Sequence, residues 1–258
     1  MVEGPDGPVE VMVTGSGEPV TVFAHGLASS IAETRPFGSA VTGTRVFLHF
    51  RGHGASAAPQ TPWTYPALED ELWSVIDAYD ARRGLGVSLG AGALLRAAAH
   101  RPARFDRLVF VLPSTLDTPR LDPAVERMRT RAALVEAGDI DGLTESLVAE
   151  QPSAMQEWGD VRVWARRQAE RLSATEVARA LRELPSQHPL ESREQLAAID
   201  CPVLVVGQEG DAAHPAQTAR ELAAALPDAR VEIFGGGGVL WSHRAEVRRL
   251  ISTYLNRP

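Results

Sequence analysis

The 258-residue chain contains no lysine: all 26 of its basic residues are arginine. Arginine serves a solvated face as well as lysine does, but the absence removes chemistry. A phosphate-cradling loop with its lysine, a Schiff base to pyridoxal phosphate and a Ser–Lys dyad are all excluded. Cysteine is nearly absent too. The single Cys201 has no partner for an internal disulfide, and its setting in IDCPVLVV reads as a small core residue in an apolar strand. No apolar run approaches the roughly 18 residues that a membrane span needs. The first residues, MVEGPDGPVEVMV, carry no basic segment ahead of an apolar core, so no cleaved leader is expected. Positive charge is in deficit, with 33 acids giving a formal net charge of -7, which argues against nucleic acid or an anionic membrane as partner. No internal repeat, low-complexity tract or His/Cys/Asp cluster with metal-ligand spacing is present, and no metal is expected. A hydrophobic fraction of 44% with 23% charged residues is that of an ordinary soluble chain, expected in the cytoplasm.

What is present is alternation. Val9 to Thr14, Pro19 to Ala24 and Thr44 to Phe50 are short, β-branched or aromatic, and bounded by glycine-rich turns. Between Pro66 and Asp80, Leu68, Leu72, Val75, Ile76 and Tyr79 recur at helical spacing. Arg83 to Val87 predicts a strand, Leu89 to His100 an alanine-rich helix, and Phe105 to Leu112 another strand. Near the C-terminal end the pattern is Pro202 to Gly207 strand, Pro215 to Leu226 helix, Ala229 to Phe234 strand and His243 to Leu255 helix. Such alternation predicts an α/β fold, a mostly parallel sheet covered on both faces. From about 114 to 190 strand signals vanish and amphipathic helical segments take over, as in ERMRTRAALVEAG and VRVWARRQAERL. An all-helical insertion there predicts a lid over the carboxyl edge of the sheet, with residues 1–113 and 191–258 forming the core of one structural domain.

The strongest motif is Gly86-Val87-Ser88-Leu89-Gly90, a G-x-S-x-G at the end of a predicted strand and the start of a predicted helix. Its glycines allow a turn so tight that side chains would collide, and the turn lifts the Ser88 hydroxyl over the helix N-terminus. A dinucleotide fingerprint fails here, because the third glycine falls one residue too late for GxGxxG.

With VFAHGLASS, FLHFRGHGAS, GVSLGAG, IDCPVLVVGQEGDAAHP and the terminal LISTYL in this order, the chain resembles the α/β-hydrolase family over nearly everything outside the inserted helices. The resemblance implies a serine nucleophile at Ser88 and an oxyanion hole made by the backbone N–H groups of Leu27 and Leu89. It implies the acid at Asp211, in the loop after VLVVG, with Glu209 and Asp117 as weaker candidates. It makes His25 and His53, from the HG and RGHG signatures, loop-orienting residues. His25 also joins Trp158 and Trp164, with Met155 beside them, as candidate walls of a substrate pocket. Aligning RAEVRRL with the family's last helix puts the expected base at Gly238, which has no side chain. His243, five residues on, is the substitute, while His214 beside the acid reads as local loop structure. Three readings of Gly238 stand open: a base removed by substitution, a natural loss, or a flexible glycine loop that brings in His243. Phosphate binding by the four consecutive glycines is disfavoured by the missing lysine.

The resulting expectation is a cofactor-free serine hydrolase or acyl transferase acting on a small carboxylic ester, thioester or lactone through an acyl-enzyme at Ser88. The alternative is a base-less member that binds a ligand or runs non-hydrolytic chemistry. Substrate identity and oligomeric state have no signal in the sequence.

Overall fold

A computed structural model describes residues 1–120, 122–174 and 176–257. Among the described residues nine strands follow in chain order: β1 (Val2–Gly4), β2 (Gly7–Val9), β3 (Val11–Thr14), β4 (Val20–Ala24), β5 (Thr44–Leu48), β6 (Arg83–Val87), β7 (Arg107–Val111), β8 (Val203–Gln208) and β9 (Ala229–Phe234). The first two form a separate antiparallel hairpin. The other seven make one sheet in the order β3-β5-β4-β6-β7-β8-β9, in which only β3 runs antiparallel to its neighbour. The strand expected over Val9 to Thr14 is β3, and the hairpin ahead of it, which is not among the expected elements, turns at Pro5-Asp6 between the paired Gly4 and Gly7.

The central strands β4, β7 and β8 are buried along their whole length, which is why they read as unbroken apolar runs. Alternate residues feed opposite faces. Val22, Leu48, Phe110 and Val205 join one core with Leu68, Leu72, Leu94 and Leu222, from α2 (Tyr65–Ala78), α3 (Leu89–His100) and α8 (Ala216–Ala225). Phe23, Phe47, Val109 and Leu204 join the other with Ile31 of α1 (Ile31–Thr34) and Val247 and Ile251 of α9 (Arg244–Leu255). The fold is therefore an α/β hydrolase architecture, a mostly parallel sheet flanked by helices.

Between β7 and β8 the chain forms α4 (Asp122–Ala137), α5 (Ile140–Ala149), α6 (Gly159–Ser173) and α7 (Val177–Glu183). None of the described helices is long and apolar enough to cross a membrane. In strand order, β6 and β8 are separated by β7 alone, so the segments leaving their carboxyl ends stand close to one another.

Candidate active site

Ser88 stands between β6 and α3 with φ 50° and ψ -106°, a conformation that a side-chain-bearing residue rarely adopts. The surrounding contacts enforce it. A Cβ on Gly86 would lie 2.4 Å from the Gly90 carbonyl oxygen, and one on Gly90 would lie 2.4 Å from that of Ala24. Backbone ties complete the turn: Ser88 N–H donates to Val111 O at 3.0 Å, and Gly90 N–H to His25 O at 3.1 Å. The segment after β4 lies directly over the serine, since a Cβ on Gly26 would be 3.4 Å from Ser88 Cβ. Leu27 follows in that segment. Leu89 opens α3, where the first backbone N–H groups have no partner within the helix.

The imidazole beside the hydroxyl belongs to His214. Ser88 Oγ donates to His214 Nε2 at 2.8 Å, and His214 Nδ1–H donates to Asp211 Oδ2 at 3.0 Å. Asp211 and His214 share the loop after β8, and the loop assembles itself: Asp211 Oδ1 accepts the N–H groups of Ala213 at 2.9 Å and His214 at 3.0 Å. Burial raises the Asp211 pKa, yet the neighbouring His214 charge and these hydrogen bonds outweigh it, and the carboxyl titrates below its ordinary value. A hydroxyl bonded to an imidazole whose other nitrogen is held by a buried carboxylate is the arrangement that makes a hydroxyl nucleophilic.

The other residues singled out in the sequence stand elsewhere. Gly238 is buried in a π-turn (Gly238–Ser242) with φ +72°, and a Cβ there would meet Trp241 Cδ1 at 3.1 Å and Gln208 Oε1 at 3.2 Å. Val239 N–H donates to Gln208 Oε1 at 2.6 Å, so the side chain ending β8 pins this turn. His243 directs Nε2 to the Gly236 carbonyl at 3.1 Å and Nδ1 to Glu246 at 3.4 Å. Glu209 is paired with Arg220 and Asp117 with Arg193, which keeps both acids outside the Ser88–His214 chain.

His25 departs from the expected substrate contact. It is fully buried, Nδ1–H donates to Gly26 O at 2.6 Å, and Nε2 accepts from Phe50 N–H at 3.0 Å. His53 does the same between Arg51 O and Ala28 N–H, and His49 between Glu10 and Ile31 N–H. These rings tie the segment after β4 to that after β5. Burial pushes the His25 pKa well below its ordinary value and brings that of His53 down to about 4.

Trp164 donates Nε1–H to Glu33 Oε1 at 3.2 Å and packs edge-on against Trp241, with ring centroids 5.6 Å apart. Trp158 precedes α6 and is 45% exposed. Met155 is buried, with Ser242 Oγ 3.8 Å from its sulfur. Among the described residues no group of three or more His, Cys, Asp or Glu side chains could hold a metal ion.

His214 is the site member that sequence reasoning set aside. Its available signal was spacing: an aspartate followed three residues later by a histidine, just before a proline-started helix, is an Asx turn that brings the two side chains together.

Residues 19–240 match the alpha/beta hydrolase fold family. A putative carbamate hydrolase, RutD, from a Caulobacter species is 32% identical over 209 residues, covering 75% of this chain and 73% of that protein. The enol-lactonase of Burkholderia xenovorans shares the fold with a TM-score of 0.79 at 21% identity, covering 96% of each chain. A thermophilic esterase from Thermogutta terrifontis does so with a TM-score of 0.76 at 19% identity, covering 98% of this chain and 96% of that one. On the extent of the family match and the identity to the Caulobacter protein, this chain belongs to the alpha/beta hydrolase family.

Proposed function

We propose that the protein is a serine hydrolase in which Ser88 attacks, His214 is the base, and Asp211 fixes the base's tautomer and orientation. The observation that carries the reading is the unbroken chain Ser88 Oγ to His214 Nε2 at 2.8 Å and His214 Nδ1 to Asp211 Oδ2 at 3.0 Å. In the first half-reaction His214 Nε2 takes the Ser88 proton as Oγ bonds to the substrate carbonyl carbon. The resulting oxyanion accepts hydrogen bonds from the Leu27 and Leu89 N–H groups, each worth about 3 kcal/mol of barrier. Collapse breaks the bond to the leaving group, which departs with the proton held on His214. Water then repeats the sequence on the acyl-enzyme, giving up a proton to His214 and releasing the acid.

Carboxylic esters, thioesters and lactones are the proposed substrates, processed without a cofactor in a cytoplasmic setting. The similarity to a carbamate hydrolase adds carbamates as a class to assay. Residues 114–190 act as a lid, with Trp164 and Met155 as wall residues that rest on the turn after β9. The base-less alternative rested on Gly238 alone, and His214 supplies the imidazole that it lacked.

Turnover of p-nitrophenyl acetate tests the mechanism. Ser88→Ala and His214→Ala are each expected to lower kcat at least about a thousandfold. Added imidazole is expected to restore part of the His214→Ala loss and none of the Ser88→Ala loss. Full activity in Ser88→Ala would sink the mechanism.

A further inference from the structure

Beside the Asp211–His214 loop, two guanidiniums pair with one carboxylate and a third stands near them. Arg131 Nη1 lies 2.6 Å from Glu150 Oε2, and Arg127 Nε lies 3.7 Å from Glu150 Oε1. Arg127 Nη2 also donates to Ala212 O at 3.2 Å. The third, Arg120, precedes α4. Its Nη1 donates to Ala213 O at 3.1 Å, next to the His214 imidazole, and among the residues whose side chains are described no carboxylate pairs with it within 4 Å. Burial pushes its pKa down, with Tyr65, Glu150 and Asp211 acting the other way. A guanidinium does not deprotonate, so Arg120 keeps its positive charge. In a chain of net charge -7, this local positive excess runs against the whole.

Arg120 also forms part of the wall of a cavity of about 530 Å³, with Pro119, Pro123, Val125 and Ser186. The cavity's other described charges are Arg129 and Glu126, 3.7 Å apart, which pair with each other. One side chain therefore belongs both to this cavity and to the loop that holds His214.

We propose that Arg120 anchors an anionic group of the substrate, a carboxylate lying in this cavity while the reacting carbonyl faces Ser88. The proposal rests on the serine-hydrolase reading and narrows it to substrates with a negative charge some way from the ester. Planar guanidinium and planar carboxylate match in geometry.

The test compares three esters by pH-stat: ethyl butyrate, which is neutral; ethyl hydrogen succinate, charged on the acyl side; and the butyrate ester of glycolate, charged on the alcohol side. In Arg120→Gln the ratio of kcat/KM for one of the charged esters to that for ethyl butyrate is expected to fall at least about tenfold. Which charged ester responds gives the side of the reacting bond that faces Arg120. Arg120→Lys is expected to keep part of the preference, since it keeps the charge and loses the fork. A uniform loss across all three esters overturns the proposal and leaves Arg120 as a positioning residue for the His214 loop. Unchanged ratios overturn it as well. Activity that survives Ser88→Ala would instead strike the serine reading itself, so the two failures are distinguishable.

Discussion

Two loops leave the carboxyl ends of neighbouring strands, and they have opposite characters. After β8, Asp211, Ala213 and His214 fold onto one carboxylate, and Arg120 and Arg127 hold the carbonyls of Ala213 and Ala212 from outside. After β9, four consecutive glycines lead into a π-turn whose order is borrowed: Gln208 holds Val239 N–H, and Gln151 accepts from Trp241 Nε1. The first loop organises its own charged groups. The second is shaped by its neighbours, and its one histidine turns to Gly236 and Glu246. In the proposed mechanism the acid and the base lie three residues apart on one Asx turn, and the loop after β9 supplies neither.

The largest expected effects separate the two loops directly. His214→Ala removes the imidazole from Ser88 and is expected to cut kcat on a simple ester by about 10⁵–10⁶. His243→Ala is expected to change it by less than about twofold. The reverse ranking would return the base to the β9 loop. Asp211→Asn comes next. It keeps the shape but lets the amide donate to His214, favouring the wrong tautomer, and a loss of about 10³–10⁴ in kcat is expected. Because the Asp211 pKa is lowered in the folded protein, its ionised form contributes stability above the ordinary carboxylate range near 4, lost as pH falls through the folded value. Thermal unfolding of Asp211→Asn is therefore expected to lose less between pH 5 and 3 than that of the parent.

How much of this was legible follows from how local each signal is. The elbow at Ser88 is a matter of five consecutive residues, and its glycines carry its geometry in the sequence. The buried strands β4 and β8 and the helices α2, α3 and α9 likewise announce themselves by periodicity. The bond from His214 to Ser88 spans 126 residues and exists because β7 sets β6 and β8 two strands apart. The Asp-x-x-His spacing marks the pairing of His214 with Asp211, but no local property marks its contact with Ser88. Reading the base position from the last helix backwards led to Gly238, because the pattern near RAEVRRL persists although the side chain is absent. The short hairpin β1–β2 was hidden for a different reason: its strands, VEG and GPV, carry one valine each and show no apolar periodicity.

The segments on the other side of Ser88 give a smaller, pH-dependent contrast. His25 and His53 hold backbone groups as neutral rings, and burial lowers both pKa values. The unfolded chain binds a proton at His53 near pH 6.5, whereas the folded chain waits until about 4. Between those values the unfolded state holds more protons, so stability falls as pH falls, by up to about 3 kcal/mol from this residue. Urea unfolding at pH 7 and pH 4.5 checks it. In His53→Gln the difference is expected to shrink, and an unchanged difference would assign the acid sensitivity to other groups.

The smallest expected effect tests whether the loop after β9 is shaped from outside. Gln208→Leu keeps the volume and removes the acceptor for Val239 N–H, leaving a buried donor unsatisfied at a cost of about 1–3 kcal/mol. For a domain of this size that is a few degrees of Tm. Ser88, His214 and Asp211 have no hydrogen bond to Gln208, so kcat on a small neutral ester is expected to stay within about threefold. Gly238→Ala approaches the same turn from the other side, since its φ of +72° strains any residue with a Cβ and Trp241 and Gln208 leave little room. If either substitution lowered kcat as far as Asp211→Asn does, the glycine loop would be part of the catalytic apparatus. The separation between a loop that carries the chemistry and a loop that only packs against it would then fail.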